Sequence, residues 1–186
     1  MKDPILQLED LGLIGNCQFS ALVARTGAVV WCCLPRFDSE PMFGALLDPE
    51  GGDFLVGPAE GGMGVQSYIE NSNILQTVFQ TQAGSFRVID FAPRFTQYDR
   101  MFRPTQMVRI VEPLAGAPMV KVRFDPRLGW AKESPSRIHG SNHIQFDGWS
   151  APVRLRSDIS PTHLEGLPFP LTRRQHLALV WGAQCD

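Results

Sequence analysis

The sequence predicts an all-β protein, a two-sheet antiparallel sandwich or a barrel, and three observations carry that prediction. Apolar and polar residues alternate along most segments, which is the period of a strand with one buried face. Seventeen Gly and fifteen Pro are spread over all 186 residues and cut the chain into short runs. Helical spacing of apolar residues is nearly absent. Together these give roughly ten to twelve short strands with turn signals between them.

The elements follow in order. Phe19–Ala24 and Ala28–Leu34 read as a hairpin around Arg25-Thr26-Gly27, with Gly27 supplying the positive φ that the turn requires. Pro35 and Pro41 bracket a non-strand segment, and Met42–Leu47 reads as one short helix stopped at Asp48-Pro49. Strands are expected at Asp53–Val56 and Gly64–Glu70, then as a hairpin Ile74–Thr81 and Ser85–Phe91 around Gln82-Ala83-Gly84. Gln106–Glu112 and Pro118–Phe124 read as a further hairpin across Pro113–Ala117. Ser136–His139 and His143–Phe146 turn over Gly140-Ser141-Asn142, and Val153–Ser157 and Gln175–Trp181 close the series. No repeat, low-complexity tract or linker divides the chain, so residues 1–186 are expected to form one domain.

Composition excludes several classes. The 44% hydrophobic content argues against disorder, and a net charge of −2 without runs of either sign gives no electrostatic footprint for nucleic acid or an anionic membrane. The first ten residues carry Asp3, Glu9 and Asp10 where a secretory signal needs an apolar stretch, and no window reaches the length of a spanning helix. A cytoplasmic address is the expectation. Cys17, Cys32, Cys33 and Cys185 read as reduced structural thiols, with a bridge from Cys17 to Cys32 or Cys33 as the alternative. Adjacent Cys32 and Cys33 point to opposite faces of a strand and cannot jointly clamp a metal.

The candidate chemistry is sparse. Asp38 and Glu40, two residues apart in Pro35-Arg36-Phe37-Asp38-Ser39-Glu40-Pro41, would project on one face if extended, as acid and base carboxylates can. The plainer reading makes Asp38 or Ser39 the N-cap of the Met42–Leu47 helix, with Pro41 in its first turn. A third reading is a ligand- or partner-facing loop in which the Arg36 fork holds a carboxylate or a sugar hydroxyl. His139 and His143 flank a hairpin tip but bring no third metal ligand, and His163 and His176 stand alone. Gly61-Gly62-Met63-Gly64 lacks the strand and helix of a phosphate-binding loop. No G-x-S-x-G elbow nominates a nucleophilic Ser. Trp31 and Trp181 read as core, whereas Trp130 and Trp149 follow glycines and are the candidates for a sugar-stacking platform. No metal or cofactor is expected, and the chain does not read as a complete enzyme.

An ordered series of motifs adds to this. Leu13-Ile14-Gly15-Asn16-Cys17, Ala21-Leu22-Val23, Gly27, Trp31-Cys32, Pro35-Arg36-Phe37-Asp38-Ser39 and Phe43-Gly44-Ala45-Leu46-Leu47-Asp48 resemble the opening of glycoside hydrolase family 15. The likeness continues through Tyr68, Asn73–Thr77, Val88–Arg94, Arg109–Glu112 and Val120–Pro126, and fades beyond about Trp149. Members of that family are glucoamylases (glucan 1,4-α-glucosidases), glucodextranases and bacterial trehalases. The resemblance implies an N-terminal β super-sandwich followed by an (α/α)6 barrel that carries the two catalytic glutamates of inverting α-glucoside hydrolysis. The chain stops at a stretch similar to the last sandwich strand, so no catalytic residue is carried over. Val30, Cys33 and Glu40 depart from the family's usual residues, which leaves trehalase and glucoamylase both open.

The expectation is therefore a non-catalytic N-terminal domain whose Arg36-Phe37-Asp38-Ser39 loop faces a barrel of the same parent chain, near its α-glucoside cleft. Orphaned from the barrel, such a domain could self-associate through the bared face. The alternatives are a stand-alone carbohydrate-binding module using Trp130 or Trp149, and a small hydrolase built on Asp38 and Glu40.

Overall fold

The computed structural model describes residues 7–140 and 143–182. The strands in chain order are β1 (Leu11–Gly15), β2 (Ser20–Ala24), β3 (Ala28–Cys33), β4 (Pro41–Phe43), β5 (Asp53–Pro58) and β6 (Val65–Tyr68). Then come β7 (Leu75–Thr81), β8 (Gly84–Phe91), β9 (Phe95–Gln97), β10 (Arg100–Phe102), β11 (Gln106–Gly116) and β12 (Met119–Asp125). The last are β13 (Ser136–His139), β14 (His143–Asp147), β15 (Val153–Ser157), β16 (Phe169–Pro170) and β17 (Gln175–Trp181), with one four-residue helix α1 (Pro161–Leu164).

Two antiparallel sheets form the layers. One has seven strands in the order β1-β2-β3-β5-β12-β16 with β4 on β3, and the other has eight in the order β13-β14-β15-β17-β11-β8-β7-β6. The all-β architecture of two large antiparallel sheets is the one the alternation predicts. On β7 and β8 every second residue is buried, with Leu75, Thr77 and Phe79 facing Phe86, Val88 and Asp90 across the register. Facing aromatics tie the layers together. Phe54 meets Phe124 edge-on with centroids 5.0 Å apart, and Phe124 in turn meets Phe146 of the opposite sheet at 4.9 Å. Each fully buried ring contributes about 1.5–3 kcal/mol by leaving water.

A buried ion pair crosses this apolar interior. Asp90 on β8 and Arg109 on β11 are direct cross-strand partners, and both side chains are fully enclosed. Arg109 Nε donates to Asp90 Oδ1 at 2.7 Å and Nη2 to Oδ2 at 3.1 Å. The guanidinium also donates to the backbone carbonyls of Phe54 (2.5 Å) and Gly27 (2.7 Å), both in the opposite layer, and lies 4.8 Å from the Phe54 ring centroid. A buried charge is tolerable only when paired and hydrogen-bonded, and here the pairing joins the two sheets.

Two expectations are corrected. The Met42–Leu47 helix does not form: Pro41, Met42 and Phe43 are buried as β4, paired to Cys32 and Cys33. Burial of three consecutive residues against a strand overrides the weak helical spacing. The cap-then-proline signal is instead realised later, where Asp48 Oδ1 accepts from Glu50 N–H over Pro49 to start a 3-10 turn. Among the described residues the α-helix is α1.

Gln106–Glu112 and Pro118–Phe124 are not a hairpin. β11 runs on to Gly116, pairing with β8 as far as Gly84, and the chain then crosses to the other sheet, where β12 lies between β5 and β16. Both strands bury alternate residues, but against opposite sides of the core. Cys17, Cys32 and Cys33 are free thiols, and no bridge joins Cys17 to Cys32 or Cys33. Burial pushes the Cys32 thiol far above its ordinary value. Cys185, and Ser141 and Asn142 of the β13–β14 turn, lie outside the described residues. Among the described residues no helix is long and apolar enough to cross a membrane.

Candidate functional site

The polar and aromatic candidates gather where loops leave one end of the sandwich. Asn16, in the β1–β2 turn, is the anchor of this region and is almost wholly buried. Its amide nitrogen donates to the carbonyls of Pro93 (3.0 Å) and Pro104 (2.8 Å), and its Oδ1 accepts from Gln18 N–H at 3.1 Å. Pro93 and Pro104 are the two feet of the β9–β10 hairpin, so one side chain clamps the root of that ribbon. The ribbon turns through Tyr98 and Asp99, both at positive φ, as a two-residue hairpin turn with right-handed strand twist requires. All six of its strand residues are exposed, and Phe95 stacks on Phe102 with centroids 5.5 Å apart. The last strand ends at its foot, where Trp181 N–H bonds the Thr105 carbonyl at 3.0 Å.

The loop Arg36-Phe37-Asp38-Ser39 closes on itself. Ser39 N–H donates to the Arg36 carbonyl at 3.1 Å, Arg36 N–H to Ser39 Oγ at 3.3 Å, and the Arg36 fork grips both Asp38 oxygens at 2.9 and 2.8 Å. The capping role expected of Asp38 or Ser39 has no helix to serve. Phe37 projects, 69% exposed, and lines a hollow of about 360 Å³ with Leu13, Ile14, Cys17, Phe19 and Asn73. Asn73 joins this hollow to a wider groove of about 920 Å³ between the β6–β7 and β8–β9 loops.

The remaining candidates disperse. Asp38 is engaged by Arg36, whereas the Glu40 side chain packs over Gly129, where an added Cβ would overlap its carboxylate. Trp130 is 60% exposed and leans on the half-buried Trp31 at 6.2 Å, so Trp31 is an aromatic backing rather than full core. Trp149 is packed against the core beside Trp181 at 6.1 Å and offers no open shelf of the Trp130 kind. The loop bearing Trp130 is tied back by Lys132, whose hydrogen bond holds the Asp48 carboxyl below its usual range. His139 shares Glu165 with Arg137, His163 Nδ1 meets the Leu167 carbonyl, and His176 faces Asp158. The His143 ring packs over Gly140. Among the described residues no three His, Cys, Asp or Glu side chains converge as a metal site. Gly61–Gly64 is open loop up to Gly64, which approaches β7.

Sequence reading missed the hairpin at Phe95–Phe102 because its residues are exposed on both faces and its turn carries no glycine. It also treated Asn16 only as part of a motif. A short polar residue flanked by glycine and strand-forming residues is a common loop composition, and its two acceptors lie 77 and 88 residues away.

The architecture defines a β-sandwich of two antiparallel sheets with one elaborated, partly apolar end. The family model described as Trehalase-like, N-terminal matches residues 3–162, and the chain belongs to that family. It is 42% identical over 90 residues to Trehalase 1 of Sulfolobus acidocaldarius, covering 48% of this chain and 16% of that protein. It is 37% identical over 93 residues to a trehalase of Mycolicibacterium smegmatis (48% of this chain, 14% of the relative) and 31% identical over 128 residues to a trehalase of Thermoplasma volcanium (67% and 20%). The matched region thus spans a fifth or less of these relatives. No solved structure matches the chain.

Proposed function

We propose that this chain is the N-terminal β-sandwich of an inverting α-glucosidase of glycoside hydrolase family 15, and that its loop end packs against and shapes the cleft of a catalytic (α/α)6 barrel. The observation that carries the reading is the Arg36–Ser39 turn. Its hydrogen bonds and ion pair are internal, so the sandwich gains little from it, yet it holds Phe37 out into water beside a hollow. An exposed apolar ring continuous with an apolar hollow makes a patch of the kind that marks interaction sites. The clamped ribbon of Phe95 and Phe102 adds apolar surface at the same end, where the chain also leaves its last strand. The relatives' names favour trehalose over maltooligosaccharides as the parent's substrate.

The first test is the reading frame beyond the codon for Asp186. Several hundred further residues of amphipathic helix with two separated glutamates support the proposal, and an immediate stop codon refutes it. In that longer protein Arg36→Ala, Phe37→Ala and Asp38→Ala are expected to lower trehalose or maltose hydrolysis while barely moving the melting temperature. Equal losses of both would reduce the turn to a structural cap. The second reading, a stand-alone carbohydrate-binding module, is favoured by one observation, the exposed Trp130 backed by Trp31.

A further inference from the structure

The groove between the β6–β7 and β8–β9 loops has a composition that points to a ligand. One wall is the loop after Tyr68 and carries Glu70, Asn71 and Asn73; the other carries Arg94 and Phe95. Its volume of about 920 Å³ lies in the range of small-molecule sites.

Two features make it a built surface rather than a chance furrow. Tyr68 is fixed as a rigid aromatic wall, since its hydroxyl accepts from Leu13 N–H at 2.8 Å and donates to the Leu13 carbonyl at 2.9 Å. The far wall is fixed by the Asn16 clamp on Pro93, immediately before Arg94 and Phe95. Phe95 is stiffened in turn by its stack on Phe102.

The charges select the ligand. Glu70 and Arg94 line the same groove from opposite walls without forming an ion pair with each other. Among the described residues the Arg94 side chain hydrogen-bonds Cys17 Sγ at 3.2 Å and nothing else, and the Asn73 amide nitrogen is turned away onto the Gly15 carbonyl. An anion would meet the Glu70 carboxylate, and a cation would meet the Arg94 guanidinium. A neutral polyhydroxylated molecule satisfies both, donating hydroxyls to Glu70 and accepting from Arg94, with the Asn71 amide able to do either and Asn73 offering its Oδ1 as acceptor. Phe95 and Tyr68, both about half exposed, are aromatic surfaces of the kind on which the C–H side of a pyranose ring packs.

We infer that this groove is a glucoside-binding subsite that takes one or two pyranose rings. The choice of an α-glucoside rests on the hydrolase reading above; the neutral polyol chemistry does not. In the parent enzyme it would lie at the same end as the Arg36–Ser39 turn, as an outer wall of the cleft.

The test is an amide NMR titration of the 186-residue chain with trehalose and with maltose, using sorbitol as a polyol control. Saturable shifts confined to residues 68–74 and 91–95 are expected, with millimolar affinity. Glu70→Ala and Arg94→Ala, both at exposed positions and checked for an unchanged melting temperature, should each weaken binding about tenfold, the loss of one charge-assisted hydrogen bond. Trp130→Ala should leave binding intact. Absence of saturation to about 50 mM, an equal response to sorbitol, or shifts centred on Trp130 would each overturn the subsite. None of those results touches the family assignment. An immediate stop codon would remove the hydrolase reading while leaving sugar binding in the groove measurable.

Discussion

The buried pair of Asp90 and Arg109 allows a quantitative test of what fixes the two sheets. Asp90→Leu leaves the guanidinium fully enclosed and uncompensated, and Arg109→Met leaves the carboxylate so. Breaking such a pair from one side costs about 3–5 kcal/mol, which for a chain of this size lowers the melting temperature by about 6–20 °C. The double variant removes both charges together. Its residual cost is smaller and can be assigned atom by atom. The carbonyls of Gly27 and Phe54 both lose the guanidinium as a charged donor, the first keeping Val56 N–H at 3.1 Å and the second lying opposite Val29 in the β3–β5 ladder. That loss is about 1–3 kcal/mol, with about 0.5–2 kcal/mol more from the ring contact.

The two single costs sum to about 6–10 kcal/mol, against about 1.5–5 kcal/mol for the pair replaced together. Urea denaturation of the four proteins at neutral pH, followed by tryptophan fluorescence and circular dichroism, completes the cycle. A coupling of several kcal/mol is expected, with the double variant more stable than either single one. Additivity within about 0.5 kcal/mol, or a single variant costing under about 1 kcal/mol, would refute the reasoning.

Three further outcomes follow from the same geometry. Asn16→Ala should cost about 2 kcal/mol through its lost bonds to Pro93 and Pro104, and hydrogen exchange of the Phe95–Phe102 amides should quicken relative to the core; unchanged exchange there would mean that the clamp does not hold the ribbon. The Asp48 carboxyl is held low chiefly by the Lys132 hydrogen bond and then by Glu50 N–H, so its stabilisation is present above the ordinary carboxylate range and fades as pH falls through the lowered value. The melting temperature of Asp48→Asn should therefore lie slightly below wild type at neutral pH and converge with it in acid, and a gap that persists at low pH would remove the ion pair as its cause. Exposed Cys17 should react with a thiol reagent in the native chain while buried Cys32 and Cys33 react only after unfolding, which peptide mass spectrometry resolves.

What the sequence made legible were the elements whose physics is local. The alternation of Leu75–Thr81 and Gly84–Phe91 and the Gly-bearing turn between them specify a hairpin without reference to anything distant. Gly27 is a harder case read correctly for a partial reason. Its φ of +84° suits the turn, but an added Cβ would also sit 2.1 Å from the Val56 carbonyl on a strand that the local sequence does not mention. The Gln106–Phe124 pairing failed because the choice between a hairpin and a crossover is decided by partners far along the chain. The helix at Met42–Leu47 failed because an N-cap pattern is satisfied by several turns, whereas burial of Pro41–Phe43 depends on Cys32 and Cys33 already lying in a sheet. Of the candidate site, the Arg36–Ser39 loop was legible as a non-strand segment between prolines. Its self-contained bonding was not, since nothing local distinguishes an Arg–Asp pair that closes on itself from one that reaches outward.

The motif residues separate into two groups by what they do in the fold. Val88–Arg94 is a run in which Val88 fills the core, Asp90 holds Arg109, the Pro93 carbonyl takes the Asn16 amide, and Arg94 enters the groove. Gly27 and Arg109 belong to the same frame, because the one presents its carbonyl to the other across the layers. These residues, Arg94 aside, serve the frame and say nothing about substrate. Phe37 and its neighbours stand apart from that frame, since the sandwich derives no burial from an exposed ring and no cross-sheet bond from an internally paired Arg36 and Asp38. The frame nevertheless matters to them. A wall can shape a neighbouring cleft only if its loops keep their positions, and here β8 carries both the ion pair that registers the two sheets and, beyond its end at Phe91, the foot that Asn16 clamps. Stability at the centre and geometry at the loop end are therefore properties of one continuous segment of chain, which is what the proposed packing against a catalytic barrel would require of this domain.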